Sequence, residues 1–223
     1  MIKITQKEHC CGCSACLHIC PKHSISFQED KEGFLYPKVD LETCIDCGLC
    51  EKVCPIINQD SEREPQKVYA AKNNDETIRL KSSSGGVFTL LAEKIIEDGG
   101  VVFGARFNEN WEVFHDYTDT IEGLEQFRGS KYVQSAVGES FKQAETFLKA
   151  GRDVMFTGTP CQIAGLRKFL RKDYKNLLTV DFVCHGVPSP LVWRLYLKAE
   201  IARHGDAGKN SVLASPKDAP VLT

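Results

Sequence analysis

The apolar residues in the second part of the chain, residues 67–204, follow two different spacings. Continuous apolar runs are typical of buried strands, whereas apolar residues three and four positions apart are typical of amphipathic helices. The predicted strands are residues 68–71, 101–105, 113–117, 154–157 and 178–183. The predicted helices have their apolar residues within 87–95, 141–148, 163–170 and 191–199. Because strands and helices alternate, we expect an α/β fold with a mixed or mostly parallel sheet.

The first part of the chain, residues 1–57, has a different pattern and contains an internal repeat. Equivalent cysteines, such as Cys10 and Cys44, are 34 residues apart. Short strands are predicted at residues 2–5, 25–28 and 36–40, and a short helix after each cysteine-rich loop. We therefore expect a small ferredoxin-like α+β domain built from two half-units. Neither half-unit is large enough to form a stable core by itself.

Two stretches lack any pattern of buried positions. Residues 58–66 are polar and contain Pro65, which predicts a linker between the ferredoxin-like domain and the α/β domain at 67–204. Residues 205–223 lose the alternation of strands and helices. We expect an irregular tail there, or a truncated end of the α/β domain.

The repeat consists of two cysteine runs of identical spacing. They comprise Cys10, Cys13, Cys16 and Cys20 before Pro21, and Cys44, Cys47, Cys50 and Cys54 before Pro55. This C-x-x-C-x-x-C-x-x-x-C-P run holds 4Fe-4S clusters in bacterial two-cluster ferredoxins, and its fourth cysteine ligates the other cluster. The predicted ligand sets are Cys10, Cys13, Cys16 and Cys54 for one cluster, and Cys44, Cys47, Cys50 and Cys20 for the other. Zinc sites or a disulfide framework are the alternatives, although zinc modules more often use pairs of C-x-x-C.

Composition narrows the classes of protein further. Eight of the 11 cysteines occupy predicted ligand positions, and thiolates that bind iron belong in a reducing compartment, so we expect a cytoplasmic protein. Cys11 fits neither run and is interpreted as a spectator thiol. With 28 basic and 30 acidic residues the chain has no basic excess for nucleic acid. No stretch approaches the roughly 18 to 20 apolar residues of a membrane span.

Charge also differs between the two parts of the chain. Residues 1–64 contain 7 basic and 11 acidic residues, so the ferredoxin-like part is mildly acidic. Such a surface suits docking to a redox partner protein or a ferredoxin, and an ordinary solvated surface explains it equally well.

A first candidate cofactor loop precedes the helix predicted at residues 87–95. Its members are Ser83, Ser84, Gly85 and Gly86. Small hydroxyl residues and glycines at a helix start expose backbone N–H groups, which can cradle a phosphate. Serine is also an ordinary helix N-cap residue, so a purely structural role is the alternative.

A second candidate loop, residues 157–162, lies where a predicted strand ends and a helix begins. Its candidate cofactor contacts are Thr157, Gly158, Thr159 and Gln162. Ligands of open α/β sheets favour this edge. Cys161 lies near the start of the helix, which predicts a favoured thiolate and a catalytic role. The alternative is a small buried cysteine.

Two further segments are candidates on weaker patterns. Ser130 and Lys131 are a candidate phosphate-binding pair. Cys184 and His185 follow the strand predicted at residues 178–183, and His185 is a candidate catalytic residue that could donate to a flavin ring or relay a proton. A structural role in the turn is the alternative for His185. Cys161 and Cys184 alone are too few to ligate a third cluster.

Taken with the two cysteine runs, these motifs resemble the family of coenzyme F-420 hydrogenase/dehydrogenase beta subunits. The resemblance covers about residues 1–203 and includes residues 83–86, 129–132, 158–162 and 184–186. It implies an iron–sulfur flavoprotein with FAD in the α/β domain. The family also includes ferredoxin-dependent reductases, so the organic partner that exchanges hydride is left open. Family members usually continue well past residue 204, where the pattern of strands and helices ends here, and that further part would complete the α/β domain.

The residues and the resemblance together predict an oxidoreductase. Two 4Fe-4S clusters would pass single electrons to or from FAD, which exchanges a hydride with an organic donor or acceptor. One alternative is a non-catalytic electron-transfer module that docks to a redox partner. A zinc-binding interaction module is a second alternative.

Overall fold

The structure is a computed structural model and describes residues 1–60 and 65–204. Its N-terminal unit consists of α1 (Ala15–Ile19), β1 (Ile25–Glu29), β2 (Leu35–Val39) and α2 (Leu49–Lys52), preceded by a 3-10 turn at Lys7–His9. β1 and β2 form an antiparallel hairpin in which Ile25 pairs with Val39. The ferredoxin-like α+β plan predicted from the repeat is confirmed in this unit.

The two cysteine loops adopt the same backbone shape, which shows that the repeat is structural as well as sequential. Gly12 and Asp46 occupy equivalent positions and have φ of 65° and 49°. Ser14 and Gly48, two residues further on, have φ of 67° and 71°. Left-handed residues at alternate positions turn successive N–H groups toward one point, a shape common around iron–sulfur clusters.

The α/β part is built on a four-stranded mixed sheet. Its strands are β3 (Val101–Phe107), β4 (Val113–Thr118), β5 (Val154–Gly158) and β6 (Leu177–Asp181), in the order β4-β3-β5-β6. β4 runs antiparallel to β3, whereas β5 and β6 run parallel to β3. The helices are α3 (Glu76–Leu80), α4 (Val87–Glu97), α5 (Ser140–Lys149), α6 (Pro160–Leu170) and α7 (Pro190–His204), with a 3-10 helix at Glu122–Phe127.

Helices cover both faces of this sheet, and the N-terminal unit joins one of them. On the first face α4 and the 3-10 helix bury Ala92, Leu124 and Phe127 against Val102 and Met155. On the second face α5 and α6 bury the large aromatic residues Phe103, Phe141, Phe156 and Phe169. The same cluster includes Cys13, Ala15 and Val53 of the N-terminal unit. The two parts of the chain therefore share one continuous core.

A second contact joins the start of α7 to the ferredoxin-like hairpin. The N–H of Leu191 donates to the carbonyl of Glu32 at 3.2 Å. The neighbouring Gly33 has φ of 88°, and a Cβ there would lie 2.6 Å from the Leu191 nitrogen. A glycine is therefore required for this close approach.

Two predicted strands are wrong, both for lack of a neighbouring strand. Residues 68–71 form no strand, and Val68 and Tyr69 are 87% and 76% exposed. Residues 2–5 form no strand either, because the N–H of Ile2 donates to the Cys50 sulfur instead of a strand carbonyl. The strand predicted at residues 36–40 is β2, shifted by one residue. The predicted tail, residues 205–223, lies outside the described residues, as do residues 61–64 of the predicted linker.

Candidate functional site

The first candidate metal centre is a cavity, cavity I, lined by four cysteines of the predicted ligand sets. Cys10, Cys13 and Cys16 from the first ligand loop face Cys54 from the second run across this cavity. Its empty space is about 330 Å³, counting space open to solvent. Cys13, Cys16 and Cys54 are buried. The structure thus brings together the four residues predicted to hold one cluster.

The second candidate centre, cavity II, is the counterpart of the first. Cys44, Cys47 and Cys50 from the second ligand loop line it together with Cys20 from the first run. Its empty space is about 350 Å³, again with solvent-open space included. Each run therefore places three cysteines around one cavity and its fourth beside the other. That arrangement is the one the crossed ligand sets require, while ligation itself stays a prediction.

Backbone N–H groups point at two of the candidate ligands. The N–H of Ile2 donates to the Cys50 sulfur at 3.1 Å, and the N–H of Ser24 donates to the Cys20 sulfur at 3.3 Å. Hydrogen bonds of this kind stabilise thiolates and raise the reduction potential of a cluster. Both bonds belong to cavity II, and in cavity I the backbone N–H groups of Gly12 and Leu17 act in the same way on the thiols of Cys10 and Cys16.

Burial around cavity I disfavours thiolates in the absence of iron. It raises the pKa of the Cys16 thiol to about 12 and also raises that of Cys10. Iron would have to displace these protons, and the metal–sulfur bonds would then contribute to folding. Within residues 1–60 and 65–204, no three His, Cys, Asp or Glu side chains converge as ligands of a single ion would. A cubane spreads its ligands over four irons and needs no such convergence.

The first ligand loop packs directly on α6. A Cβ at Gly165 would lie 2.9 Å from Cβ and 3.0 Å from Sγ of Cys13. Such contacts are too short for any side chain, so only glycine allows α6 to approach the loop this closely. On the neighbouring helix α1, His18 lies between the rings of Phe141 and Phe169, with centroids 5.5 and 5.9 Å away. The α/β domain therefore contacts the cavity I side of the ferredoxin-like unit.

Two thiols outside the predicted ligand sets lie near each other at this same contact. Cys11 and Cys161 are near enough for each thiol to shift the pKa of the other, and the Thr159 hydroxyl lies 3.1 Å from the Cys161 sulfur. The neighbouring Cys11 thiol, followed by burial, raises the pKa of the Cys161 thiol, so the thiolate predicted from the helix position is not favoured. Cys11, interpreted from the sequence as a spectator thiol, also lines cavity I.

The loop before α4 begins that helix without a side-chain cap. The N-cap is Gly86, with φ of 72°, which has no side chain to bond the first N–H groups of α4. The serine N-cap alternative is therefore wrong for this helix. Ser83 instead accepts a hydrogen bond from the N–H of Ser130 at 2.7 Å, and Ser84 accepts one from Gly85 at 2.6 Å. Two of the predicted cofactor segments thus meet.

The loop at residues 157–162 is held by a capping box at the start of α6. The Gln162 side chain accepts from the N–H of Thr159 at 3.0 Å, and the Thr159 side chain caps the helix in return. A structural function thereby accounts for Gln162, which is buried. The Thr157 hydroxyl donates to the carbonyl of Phe103 at 2.9 Å, so it ties β5 to β3. Gly158 ends β5, and a Cβ there would lie 3.0 Å from Oε1 of Gln162.

The buried side chain of His115, on β4, bonds this loop and was not among the site residues predicted from the sequence. Its Nε2 lies 3.0 Å from the carbonyl of Thr157, and its Nδ1 lies 2.7 Å from the Ser135 hydroxyl. Because a carbonyl only accepts, Nε2 carries the proton and Nδ1 accepts from Ser135. Burial lowers the pKa of His115 to about 4. The available sequence signal was the position of His115 two residues after Val113, on the side of β4 that is buried.

Two other predicted residues lie differently from the expectation. The Lys131 ammonium turns inward and donates to the carbonyls of Gln126 and Arg128 at 3.1 and 2.9 Å, and burial lowers its pKa to about 8. It stabilises the 3-10 helix instead of presenting a free cation. Cys184 and His185 are exposed on the segment after β6. That segment leaves the sheet at the same edge as residues 157–162, since β5 and β6 are parallel.

Comparison with known proteins finds matching family models for both parts of the chain. A model of the 4Fe-4S dicluster domain matches residues 9–56, and another model of that description matches residues 40–98. A model of the C terminus of the beta subunit of coenzyme F420 hydrogenase/dehydrogenase matches residues 151–208. The first match contains both cysteine runs, and the last begins just before β5 and the loop at 157–162.

Three relatives cover different parts of the chain. The F subunit of the F(420)H(2) dehydrogenase of Methanosarcina mazei is 27% identical over 82% of this chain and 55% of its own length. Coenzyme F420-dependent sulfite reductase of Methanocaldococcus jannaschii is 29% identical over 85% of this chain and 30% of its own length. A 7Fe ferredoxin of Hydrogenibacillus schlegelii is 38% identical over 30% of this chain and 87% of its own. The chain spans about half or less of the first two relatives.

These matches, with the two four-cysteine cavities, define an iron–sulfur electron-transfer protein with an N-terminal ferredoxin-like domain and an α/β region. The chain is similar to the family of coenzyme F420 hydrogenase/dehydrogenase beta subunits, whose C-terminal model matches residues 151–208. Its relatives are oxidoreductases or their subunits, which supports an oxidoreductase-associated role. No helix among the described residues is long and apolar enough to cross a membrane.

Proposed function

We propose that this chain is an iron–sulfur flavoprotein oxidoreductase. Two 4Fe-4S clusters, held in cavities I and II by the crossed cysteine sets, pass electrons to or from an FAD in the α/β domain, residues 67–204. A flavin accepts two electrons as a hydride and releases them singly, which is the chemistry that would join an organic partner to the clusters. The organic partner is coenzyme F420 or a related hydride carrier.

The observation that carries this proposal is the direct packing of the first ligand loop on α6. Cys13 lies against Gly165 of that helix, and Cys11 is near enough to Cys161 in its first turn to raise the pKa of the Cys161 thiol. A cluster in cavity I would therefore lie next to the helix whose N-terminal loop is the candidate flavin site. Electron transfer between them needs no movement of the ferredoxin-like unit.

The candidate flavin loops lie at one edge of the sheet. α4 is joined to β3 through Gly99 and Gly100, so its uncapped N-terminus points toward the carboxyl end of that strand. Residues 157–162 leave β5 at the same edge, where ligands of α/β sheets bind. In the proposed site the N–H groups after Gly86 hold the FAD phosphates.

Individual side chains have different roles in this proposal. Ser83, Ser84 and Gly85 shape the loop before α4, and Ser130 supports it through its N–H. Thr157 and Gly158 present backbone to the flavin, while Thr159 and Gln162 fix the loop by the capping box. Cys161 and His185 stay candidates for contact with the reacting ring, and Lys131 acts through the segment it holds.

The two clusters would have different neighbours, so one would exchange electrons with the flavin and the other with a partner protein. The first ligand loop, which lines cavity I, packs on α6, and three of the four cysteines of cavity I are buried. At cavity II, Cys47 is exposed and Ile45 is 58% exposed. In this proposal the cluster held in cavity I, cluster I, lies next to the flavin. The cluster held in cavity II, cluster II, exchanges electrons with a redox partner protein or a ferredoxin. The mildly acidic surface of the unit suits a partner with a basic rim.

Anaerobic purification followed by iron and flavin quantification tests the proposal. The account predicts two clusters and one FAD per chain, or stoichiometric binding of added FAD, with cluster bleaching when a hydride donor is added. A cluster-replete chain that neither contains nor binds FAD would refute it. Zinc in place of iron would establish the zinc-module alternative instead.

One observation favours a second function, a non-catalytic electron-transfer module that docks to a partner. β6 is an edge strand, and Phe182 and Val183 after it are 59% and 84% exposed. Such an apolar edge suits burial by a further protein surface. Clusters reduced by dithionite in a chain without flavin turnover would support this function over the enzyme.

A further inference from the structure

The start of α4 (Val87–Glu97) has backbone N–H groups that its N-cap residue cannot bond, because that residue is Gly86. The aligned peptide dipoles of the helix also give this end a partial positive charge. Gly86 is buried, and a Cβ there would lie 3.0 Å from Cβ of Asn73. A helix start by itself does not define a binding site, but two side chains beside this one have donors without partners.

The first of these side chains is Asn73, which is 3% exposed. Its backbone is fixed, since its N–H donates to the carbonyl of Gly85 at 2.7 Å and its carbonyl accepts from Arg79 at 2.8 Å. Its Oδ1 accepts from the N–H of Asp75 at 2.9 Å, whereas its Nδ2 has no hydrogen-bond partner among the described residues. A buried donor without an acceptor is unfavourable. The fold therefore keeps one amide donor beside Gly86 for an acceptor from outside the chain.

The second side chain is Arg128, whose Nε donates to Oγ1 of Thr89, the third residue of α4, at 3.2 Å. Within residues 1–60 and 65–204, its two terminal nitrogens have neither a hydrogen bond nor an ion pair. Glu125, on the 3-10 helix just before it, is paired with Lys81 at 3.3 Å. A guanidinium without a carboxylate partner can bind a phosphate through two N–H groups at once.

Neighbouring contacts hold Arg128 beside the start of α4. The Lys131 ammonium donates to the carbonyl of Arg128 at 2.9 Å, and the N–H of Ser130 donates to the Ser83 hydroxyl at 2.7 Å. The segment that carries Arg128 is thus bonded both to α4 and to the loop before it. Lys131, the phosphate ligand expected from the sequence, therefore positions the arginine three residues earlier.

We propose that the start of α4, Asn73 and Arg128 form a diphosphate-binding site. The N–H groups after Gly86 and Nδ2 of Asn73 donate to one phosphate, and the terminal nitrogens of Arg128 donate to the other. The diphosphate of FAD and that of a free nucleotide such as ADP offer the same chemistry. The assignment to FAD rests on the proposed function, whereas the diphosphate site does not.

Binding of ADP and of FAD to the cluster-replete, full-length protein tests the site. Equilibrium dialysis gives the dissociation constants for the parent, Arg128→Gln and Lys94→Gln. Arg128→Gln is expected to weaken each ligand that the parent binds about 10- to 100-fold, because a charged donor is lost. The affinity of this variant should also depend less on salt concentration than that of the parent. Lys94→Gln, toward the other end of α4, loses the same charge and keeps the parent constants.

Asn73→Asp is a second variant that leaves the bond between Arg128 and Thr89 intact. It keeps the shape of the side chain and the acceptor for Asp75, but a carboxylate oxygen that repels phosphate replaces the orphaned donor. It should therefore weaken the same ligands by at least 10-fold. Cluster absorbance and melting temperature show that each variant is folded.

The two ligands separate the site from the proposed function. A parent that binds ADP but not FAD, with weaker ADP binding in both variants, would contradict the FAD assignment and support the site. A parent that binds neither ligand, or parent-like constants in either folded variant, would overturn the site. Tight FAD binding that is unaffected in the variants would leave the proposed function standing without it.

Discussion

The two cysteine runs have the same spacing and the same loop shape, yet their cavities have different environments. The first ligand loop, which lines cavity I, lies against α6, and its Cys13 is part of the core shared with the α/β domain. Cavity II is bordered by the chain start and by the exposed residues Ile45 and Cys47. A sequence repeat thus fixes what each site can ligate, whereas the tertiary contacts decide which partner each site can reach.

The largest expected effects come from substituting the fourth cysteine of each run, because each is predicted to ligate the cluster of the other run. Cys54→Ser is expected to remove the cluster of cavity I, and Cys20→Ser that of cavity II, because each lines the cavity of the other run. Iron quantification would show about half the iron lost in each case. Electron paramagnetic resonance of the reduced proteins would show which cluster persists.

Cys184→Ser is the control for these two variants, since that residue lies outside both cavities. Loss of the cluster belonging to the mutated residue's own run would contradict the crossed sets. Cys54→Ser should also destabilise the α/β domain more than Cys20→Ser does, because only cavity I adjoins the shared core.

Acid is expected to destabilise the α/β side through His115. Burial lowers the pKa of His115 to about 4 from its ordinary 6.5, so between these values the unfolded chain binds more protons than the folded one. The free energy of unfolding should therefore fall as pH drops from about 6.5 to about 4, by at most about 3 kcal/mol. Above this window the contribution is complete.

Urea unfolding at several pH values measures this dependence. In His115→Asn the slope over the window should become smaller, even though the variant is less stable overall. An unchanged slope in the variant would show that His115 does not titrate as its burial predicts. The comparison of slopes also separates this effect from any acid lability of the clusters, which both proteins share.

A smaller effect is expected from Gly165→Ala. The added methyl group meets Cys13 at 2.9 Å, and overpacking of this kind costs about 1–3 kcal/mol. Alanine recovers about 1 kcal/mol of that through its higher helix propensity. The spectrum of the cluster in cavity I should shift while that of cavity II stays unchanged.

Arg167→Ala, on the exposed side of the same helix, is the matched control for Gly165→Ala. It leaves the contact with the ligand loop intact, so both cluster spectra should match the parent. A shift confined to cavity II in Gly165→Ala would contradict the assignment of cavity I to the interface with α6.

The smallest effect on stability is expected from Ile45→Ser beside cavity II. Ile45 is 58% exposed and contributes little to the core. If a redox partner docks beside cavity II, electron transfer from a reduced ferredoxin to Ile45→Ser should slow several-fold at unchanged iron content and melting temperature. Thr120→Ser, outside the lining of both cavities, is the control. Equal rates in Ile45→Ser and the parent would place the docking site elsewhere.

The sequence predicted much of the framework because local patterns decide it. Spacing alone placed α4, α5 and α6 and the buried strands β3 and β5, and it grouped the eight cysteines as the cavities do. Residues 68–71 have the apolar pattern of a strand but find no neighbouring strand. Pairing depends on tertiary contacts, which a single segment does not reveal.

The candidate site was less predictable for the same reason. The position of Cys161 near a helix start indicated a favoured thiolate, but the nearby Cys11 thiol and burial act in the opposite direction. His115 carried no motif, and only the fold shows that it bonds the carbonyl of Thr157. Lys131 looked like a phosphate ligand until the fold placed carbonyls of Gln126 and Arg128 around it.

The most direct test of the central claim is the rate of flavin reduction in protein that lacks one cluster. A reduced ferredoxin is mixed anaerobically with FAD-loaded parent and Cys54→Ser protein, and cluster and flavin absorbance are followed in a stopped-flow instrument. The account predicts that cluster II of the variant is still reduced while its flavin is reduced far more slowly than in the parent. Flavin reduction at the parent rate without cluster I would contradict the claim that cavity I connects the relay to the α/β domain.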